Sequence, residues 1–178
     1  MTRIVAISGS LRAGSTNAAL LHAASRLAQR DMEFVFYDDL ASLPPFNPDL
    51  DSDDDSPPAI VRDFRRLLIE ADGIVISTPE YAHGVPGVLK NAIDWLVSVG
   101  ALVGKPVVLL NAAPNGGEYA QASLMHTLQV MNWNVLSDAS LTVPFLRKKI
   151  QLGNDIDDED AATKLRASLD ALAAAIGK

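Results

Sequence analysis

Short apolar runs alternate with helix-like stretches along the chain, and this alternation constrains its fold more than any other feature. Runs of strand length occur at residues 3–7 (RIVAI), 33–37 (EFVFY), 73–77 (GIVIS) and 106–111 (PVVLLN), with a weaker run over 134–143. Those at 73–77 and 106–111 are nearly continuous in apolar residues, the signature of a strand covered on both faces. Helical spacing covers about residues 15–29, 57–71, 85–98, 118–131 and 157–176. Strand alternating with helix predicts an α/β unit with a parallel sheet, and right-handed crossovers place helices on both faces. In the last helix Asp157 is the expected cap, and Leu165, Leu169, Leu172 and Ile176 form a stripe that packs on the sheet.

A length of 178 residues predicts one domain over 1–178, and the absence of cysteine excludes disulfides, thiol catalysis and Cys-ligated metal clusters. The 22 acidic and 15 basic residues leave a charge of -7, which does not suit a non-specific nucleic-acid or anionic-membrane binder. No run approaches the roughly 20 apolar residues of a membrane span, and the first residues lack the form of a signal peptide. The expected location is the cytoplasm, with neither membrane insertion nor a nucleic-acid partner.

Residues 42–58 (SLPPFNPDLDSDDDSPP) break the alternation with five prolines and five Asp and predict an extended loop. Its Asp cluster lacks the spaced Asp, Gly and Glu positions of an EF-hand, so a solvated loop is the better reading than a calcium site.

Chemistry concentrates in the loops that follow strands. GSLRAGSTN, residues 9–17, leaves the first strand and enters a helix. A helix start offers unpaired N–H groups and the positive end of a dipole. Ser10, Ser15, Thr16 and Asn17 add side-chain donors, and Arg12 adds a charged planar fork suited to phosphate. Neither GxxxxGK[ST] nor GxGxxG is present, so a P-loop NTPase and a dinucleotide-binding Rossmann domain are both disfavoured. One phosphate held by hydroxyls, amides and an arginine suits the monophosphate of FMN; an ordinary capped helix behind a Ser-rich turn is the alternative.

After the third strand comes TPEYAHGVPGVLKNAIDWL, residues 78–96. Glu80 to Gly84 form an irregular loop, and Pro86 falls in the first turn of the next helix. In a sheet ordered 2-1-3-4-5, strands 1 and 3 are neighbours, and their loops flank the switch-point crevice. Tyr81 and His83 can border a planar ligand there, with backbone donors of residues 81–84 facing its polar edge. His83 can equally be an exposed loop residue, and no catalytic partner for it is visible. Trp95 and Leu96 suit either core or subunit-interface packing.

Together the two loops resemble the NADPH-dependent FMN reductase family, the flavodoxin-like group of quinone, chromate and azo reductases. GSLRAGSTN is similar to its GSxRxxSxN phosphate loop, and PEYAHGVPGVLKNAIDW resembles its PEYN-x-x-(I/V)PGxLKNAIDW signature. The resemblance implies a flavodoxin-like three-layer sandwich with a five-stranded parallel sheet in the order 2-1-3-4-5. It implies non-covalent FMN, NAD(P)H as co-substrate, and a quinone, metal oxyanion, azo compound or flavin as small-molecule acceptor. The flavin carries the chemistry, so no catalytic side chain and no metal are expected. Ser10, Arg12, Ser15, Thr16 and Asn17 would hold the phosphate; Pro79, Glu80, Tyr81, Ala82, His83 and Gly84 would line the isoalloxazine. Ala113 and Gly116 of the third loop, NAAPNGG over 111–117, would complete the cofactor site.

Two departures stand out. Ala82 replaces the family's usual Asn, and the third loop is short and lacks the common serines, although Gly116, Gly117, Ala120 and Leu124 fit GGxxAxxxL. The family also implies a homodimer or homotetramer through the helix after the second loop, where Val85, Val88, Leu89, Trp95 and Leu96 offer an apolar face. A flavodoxin-type electron carrier without NAD(P)H turnover is the alternative function, although flavodoxins bind phosphate with a T/S-x-T-x-x-T loop rather than an arginine-bearing one.

Overall fold

The computed structural model describes residues 1–51, 57–113, 116–144 and 156–177. The sheet comprises β1 (Thr2–Ser8), β2 (Met32–Tyr37), β3 (Gly73–Ser77), β4 (Pro106–Asn111), β5 (Asn134–Val135) and β6 (Leu141–Thr142). Its path is β2-β1-β3-β4-β5, with β6 also on β4, and every pairing is parallel. The expected order 2-1-3-4-5 therefore holds. The crossover helices are α1 (Thr16–Leu27), α2 (Ala59–Glu70), α3 (Gly87–Asp94), α4 (Glu118–Val130) and α5 (Glu159–Ile176).

Alternation within the strands builds the three layers. Val5, Ile7, Ile74, Ile76, Val107 and Leu109 face one way, against Val61, Phe64 and Leu68 of α2, Leu89 and Ile93 of α3, and Leu124 and Leu128 of α4. Ile4, Ala6, Val75, Val108 and Leu110 face the other way, against Leu20 and Leu21 of α1 and Leu165, Leu169 and Leu172 of α5. Successive strand side chains point to opposite faces, and fully burying an aliphatic side chain contributes about 1.5–3 kcal/mol.

The structure moves several expected boundaries. The run over 134–143 is two strands, because a 3-10 turn at Ser137–Ala139 interrupts it. Pairing resumes at Leu110 with Leu141, six residues beyond Val135 on the edge but only three beyond Val107 on β4. Ser140 spans the gap: its hydroxyl accepts the Leu109 amide at 3.1 Å and donates to the Leu136 carbonyl at 3.0 Å. The third helix stops at Asp94 rather than near residue 98. Arg65 of α2 donates through Nε to the Trp95 carbonyl at 2.8 Å, occupying an acceptor that a longer helix would use. Pro86 lies just before α3, with extended backbone, and its carbonyl accepts the Leu89 and Lys90 amides. The cap of α5 is Asp158, not Asp157: its carboxylate accepts the Ala161 amide at 2.8 Å.

The loop over 42–58 starts at the end of a 3-10 turn, Leu40–Ser42, and contains another at Pro48–Leu50. The Asp53–Asp55 part of the calcium question lies outside the described residues. Asp51 is held by Arg65 at 2.7 Å and by the Ser98 hydroxyl at 2.8 Å. Leu89, Trp95 and Leu96 are buried within the chain, so they do not form the face expected for a second subunit. No helix among the described residues is long and apolar enough to cross a membrane.

Candidate functional site

Loops after β1, β3 and β4 meet at the carboxyl edge of the sheet. The first turns sharply at Gly9, whose amide donates to the Ser77 carbonyl at 2.8 Å. A Cβ on Gly9 would stand 2.9 Å from Leu89 Cδ2 and 3.0 Å from Thr78 Oγ1, so only glycine lets the loop lie this close to α3. Ser15 caps α1, its hydroxyl accepting the Ala18 amide at 3.3 Å. The amides of Thr16 and Asn17 stand in the first turn, where no intrahelical acceptor exists. Arg12 is exposed, and its guanidinium has no ion-pair partner among the described residues.

Asn17 is buried beneath the loop. Its Oδ1 accepts the Ser77 hydroxyl at 2.9 Å and the Ala112 amide at 3.1 Å. The Ala112 N–H is a donor only, so it settles which end of the side-chain amide lies there. Asn17 Nδ2 has no acceptor among the described residues. The residue expected as a phosphate contact is thus also the tie between the first loop, β3 and the third loop.

The second loop is a two-residue reversal. Tyr81 and Gly84 exchange backbone hydrogen bonds at 3.0 and 2.9 Å, and Ala82 and His83 between them have φ of 49° and 59°. Positive φ at both central positions defines a type I′ turn, which favours Asn, Asp and Gly. Ala82 therefore departs from expectation in conformation as well as in side-chain hydrogen bonding. The Tyr81 hydroxyl lies 3.5 Å from Ser10 Oγ and brings the first two loops together. Pro79 is half-buried, and its carbonyl accepts the Thr78 hydroxyl at 3.0 Å.

Glu80 joins the second loop to α4. One oxygen accepts the Ala120 amide at 2.9 Å, and the other lies 3.2 Å from His83 Nδ1. A carboxylate at a helix N-terminus meets orphan N–H groups and the positive dipole end. It supplies what Gly117, the N-cap residue, lacks in a side chain. Gly117 has φ 90°, and a Cβ there would fall 1.9 Å from Asn111 Nδ2. Asn111 orders the third loop by accepting the Ala113 amide at 2.7 Å and donating to the Gly117 carbonyl at 3.1 Å. Ala113 and Gly116 flank residues 114–115, which lie outside the described residues.

Tyr119, which sequence reasoning missed, belongs to this rim. It is 62% exposed and meets the His83 ring edge-on at 4.5 Å between centroids. Its signal was its position two residues after the Gly116-Gly117 pair, at the start of a helix that follows the loop after β4.

The NADPH-dependent FMN reductase family matches residues 2–147. The chain is 33% identical over 177 residues to a 2-hydroxy-1,4-benzoquinone reductase of Burkholderia sp, covering 97% of this chain and 94% of that one. It is 33% identical over 161 residues to a quinone reductase of Escherichia coli, covering 87% and 85%. Among solved structures it is similar to FerB, a flavoenzyme NAD(P)H:(acceptor) oxidoreductase from Paracoccus denitrificans, with a TM-score of 0.89, 28% identity and coverage of 99% and 98%.

Proposed function

Since this chain belongs to the NADPH-dependent FMN reductase family, we propose that it reduces a small-molecule acceptor, a quinone before a metal oxyanion, azo compound or flavin. It is an oxidoreductase that depends on FMN and NAD(P)H. The single observation that carries the reading is the run of unpaired donors on the loop after β1, which the Ser10–Tyr81 contact brings against the Tyr81–Gly84 turn. These donors are the Thr16 and Asn17 amides, Asn17 Nδ2 and the Arg12 guanidinium.

The residues present fit an FMN. Arg12, Ser10, Thr16 and Asn17 would hold its phosphate, with Ser15 keeping the helix start in place through its cap. Pro79 to Gly84 would line the ring system, and Ala113 and Gly116 would close its third side. When bound, the flavin supplies the two-electron relay between nicotinamide and acceptor. The protein's part is position and electrostatics. The Ser10–Tyr81 contact sets the separation of the phosphate and ring loops, and the Asn17 tie holds that separation against the sheet.

The test is direct. FMN is titrated into the purified protein, and NADPH and NADH oxidation is then followed with benzoquinone. Micromolar or tighter FMN binding and quinone-dependent turnover are expected; failure to bind FMN at micromolar concentration overturns the reading. Residues 1–178 act as one FMN-binding unit in this reading, working in the cytoplasm as a homodimer or homotetramer. Val97 and Val103, 64% and 60% exposed beyond α3, replace the buried Leu89, Trp95 and Leu96 as apolar surface for a contact. A monomer in light scattering removes the oligomer.

A further inference from the structure

We propose that His83 is the acid that protonates the acceptor, with Glu80 as its positioning residue; this rests on the quinone-reductase reading above. The partner for His83 that the sequence did not reveal is present. Glu80 Oε1 lies 3.2 Å from Nδ1, and Oε2 is fixed by the Ala120 amide at 2.9 Å, so the carboxylate is anchored from two sides. In this proposal the proximity of Glu80 assigns the proton to Nδ1 and leaves Nε2 as the working atom. The ring is steadied by the edge-on Tyr119 contact, yet the side chain is 75% exposed at the rim of the site. The groups facing it are Glu80 from its own loop and Tyr119 from α4. The neighbouring Tyr81 hydroxyl is turned to Ser10.

Backbone geometry points the same way. His83 sits at φ 59°, directly after Ala82 at φ 49°. Non-glycine residues are uncommon in this region and persist where the surroundings over-determine them. Here the Tyr81–Gly84 bridge and the Glu80 and Tyr119 contacts do so, and together they present an imidazole at the rim.

The chemistry requires such a group. Reducing a quinone to a hydroquinone takes two electrons and two protons. Hydride originating from NAD(P)H brings both electrons and one proton. The second proton must reach the developing phenolate oxygen: the O–H bond forms as the imidazolium Nε2–H bond breaks. His83 is left neutral with its proton on Nδ1, and solvent recharges it.

The test compares His83→Asn, which tolerates the left-handed conformation, and Glu80→Gln, which keeps an acceptor for the Ala120 amide. For each, kcat/KM is measured with benzoquinone and with ferricyanide, which takes one electron and no proton. The quinone-to-ferricyanide ratio is expected to fall about 100-fold in His83→Asn and less in Glu80→Gln. An unchanged ratio overturns the proposal and leaves the reductase reading standing. Nitrogen-15 spectra of the purified protein supply a readout independent of turnover. A neutral His83 protonated on Nδ1, and no longer so in Glu80→Gln, is expected; protonation on Nε2 in the parent overturns the proposal. Absence of NAD(P)H oxidation with either acceptor in the parent overturns the reductase reading, and the role of His83 with it.

Discussion

Asn17 Oδ1 accepts the Ala112 amide at 3.1 Å, joining residues 95 positions apart beneath the loop after β1. The same oxygen accepts the Ser77 hydroxyl. Asn17→Ala leaves two buried donors without their acceptor, and an unsatisfied buried group costs about 1–3 kcal/mol. We expect the urea midpoint to fall by that equivalent and FMN affinity to fall with it. An unchanged midpoint would show that the tie contributes nothing.

Ala82 occupies a left-handed position that costs an L-residue roughly 1–2 kcal/mol and that Asn tolerates. Ala82→Asn should therefore stabilise the protein by about 0.5–1 kcal/mol, raising Tm by roughly 1–4 °C. Thermal unfolding followed by circular dichroism checks this, and a lower Tm would contradict the turn geometry.

Gly117→Ala should be among the most damaging single-methyl additions in the site. The new Cβ meets Asn111 Nδ2 at 1.9 Å and also forces alanine to φ 90°. Displacing Asn111 breaks its bonds to Ala113 and Gly117, so the combined loss is about 2–4 kcal/mol. Chemical denaturation that finds under about 1 kcal/mol would mean that the third loop relaxes freely.

Asp51 predicts an acid-side dependence of stability. Its hydrogen bond from Arg65, opposed by desolvation and aided by Ser98, lowers its pKa from the ordinary 3.8. The unfolded chain then binds a proton at higher pH than the folded one. Asp51's contribution is complete above the unfolded value and is lost as pH falls below about 3.8 through the lower folded value. Asp51→Asn should flatten the stability profile in that window alone, as read from urea midpoints at successive pH values.

The layered fold was legible because the central strands are covered on both faces, and Val75 and Val108 announce that coverage locally. The loops after β1 and β3 stood out in the sequence because their residue types suit an anion and a planar ring, and the Ser10–Tyr81 contact brings those two loops together. The break between β5 and β6 was not legible, since it depends on the Ser140 hydroxyl serving a Leu109 amide 31 residues away. The early end of α3 depends likewise on Arg65 reaching Trp95 from another helix. Tyr119 and the Glu80–His83 pair escaped for a related reason. Their meaning lies in side chains that cross between loops and leave no period in the chain.

The broken edge at β5 and β6 also limits how the molecule can grow. Each side of the Ser137–Ala139 turn leaves a rung of only two residues, offering a neighbouring chain no continuous ladder of amides and carbonyls. Among the described residues, that side of the sheet presents only these two short rungs. A second copy approaching β5 or β6 would find its contacts in helices and loops rather than in an extended strand ladder.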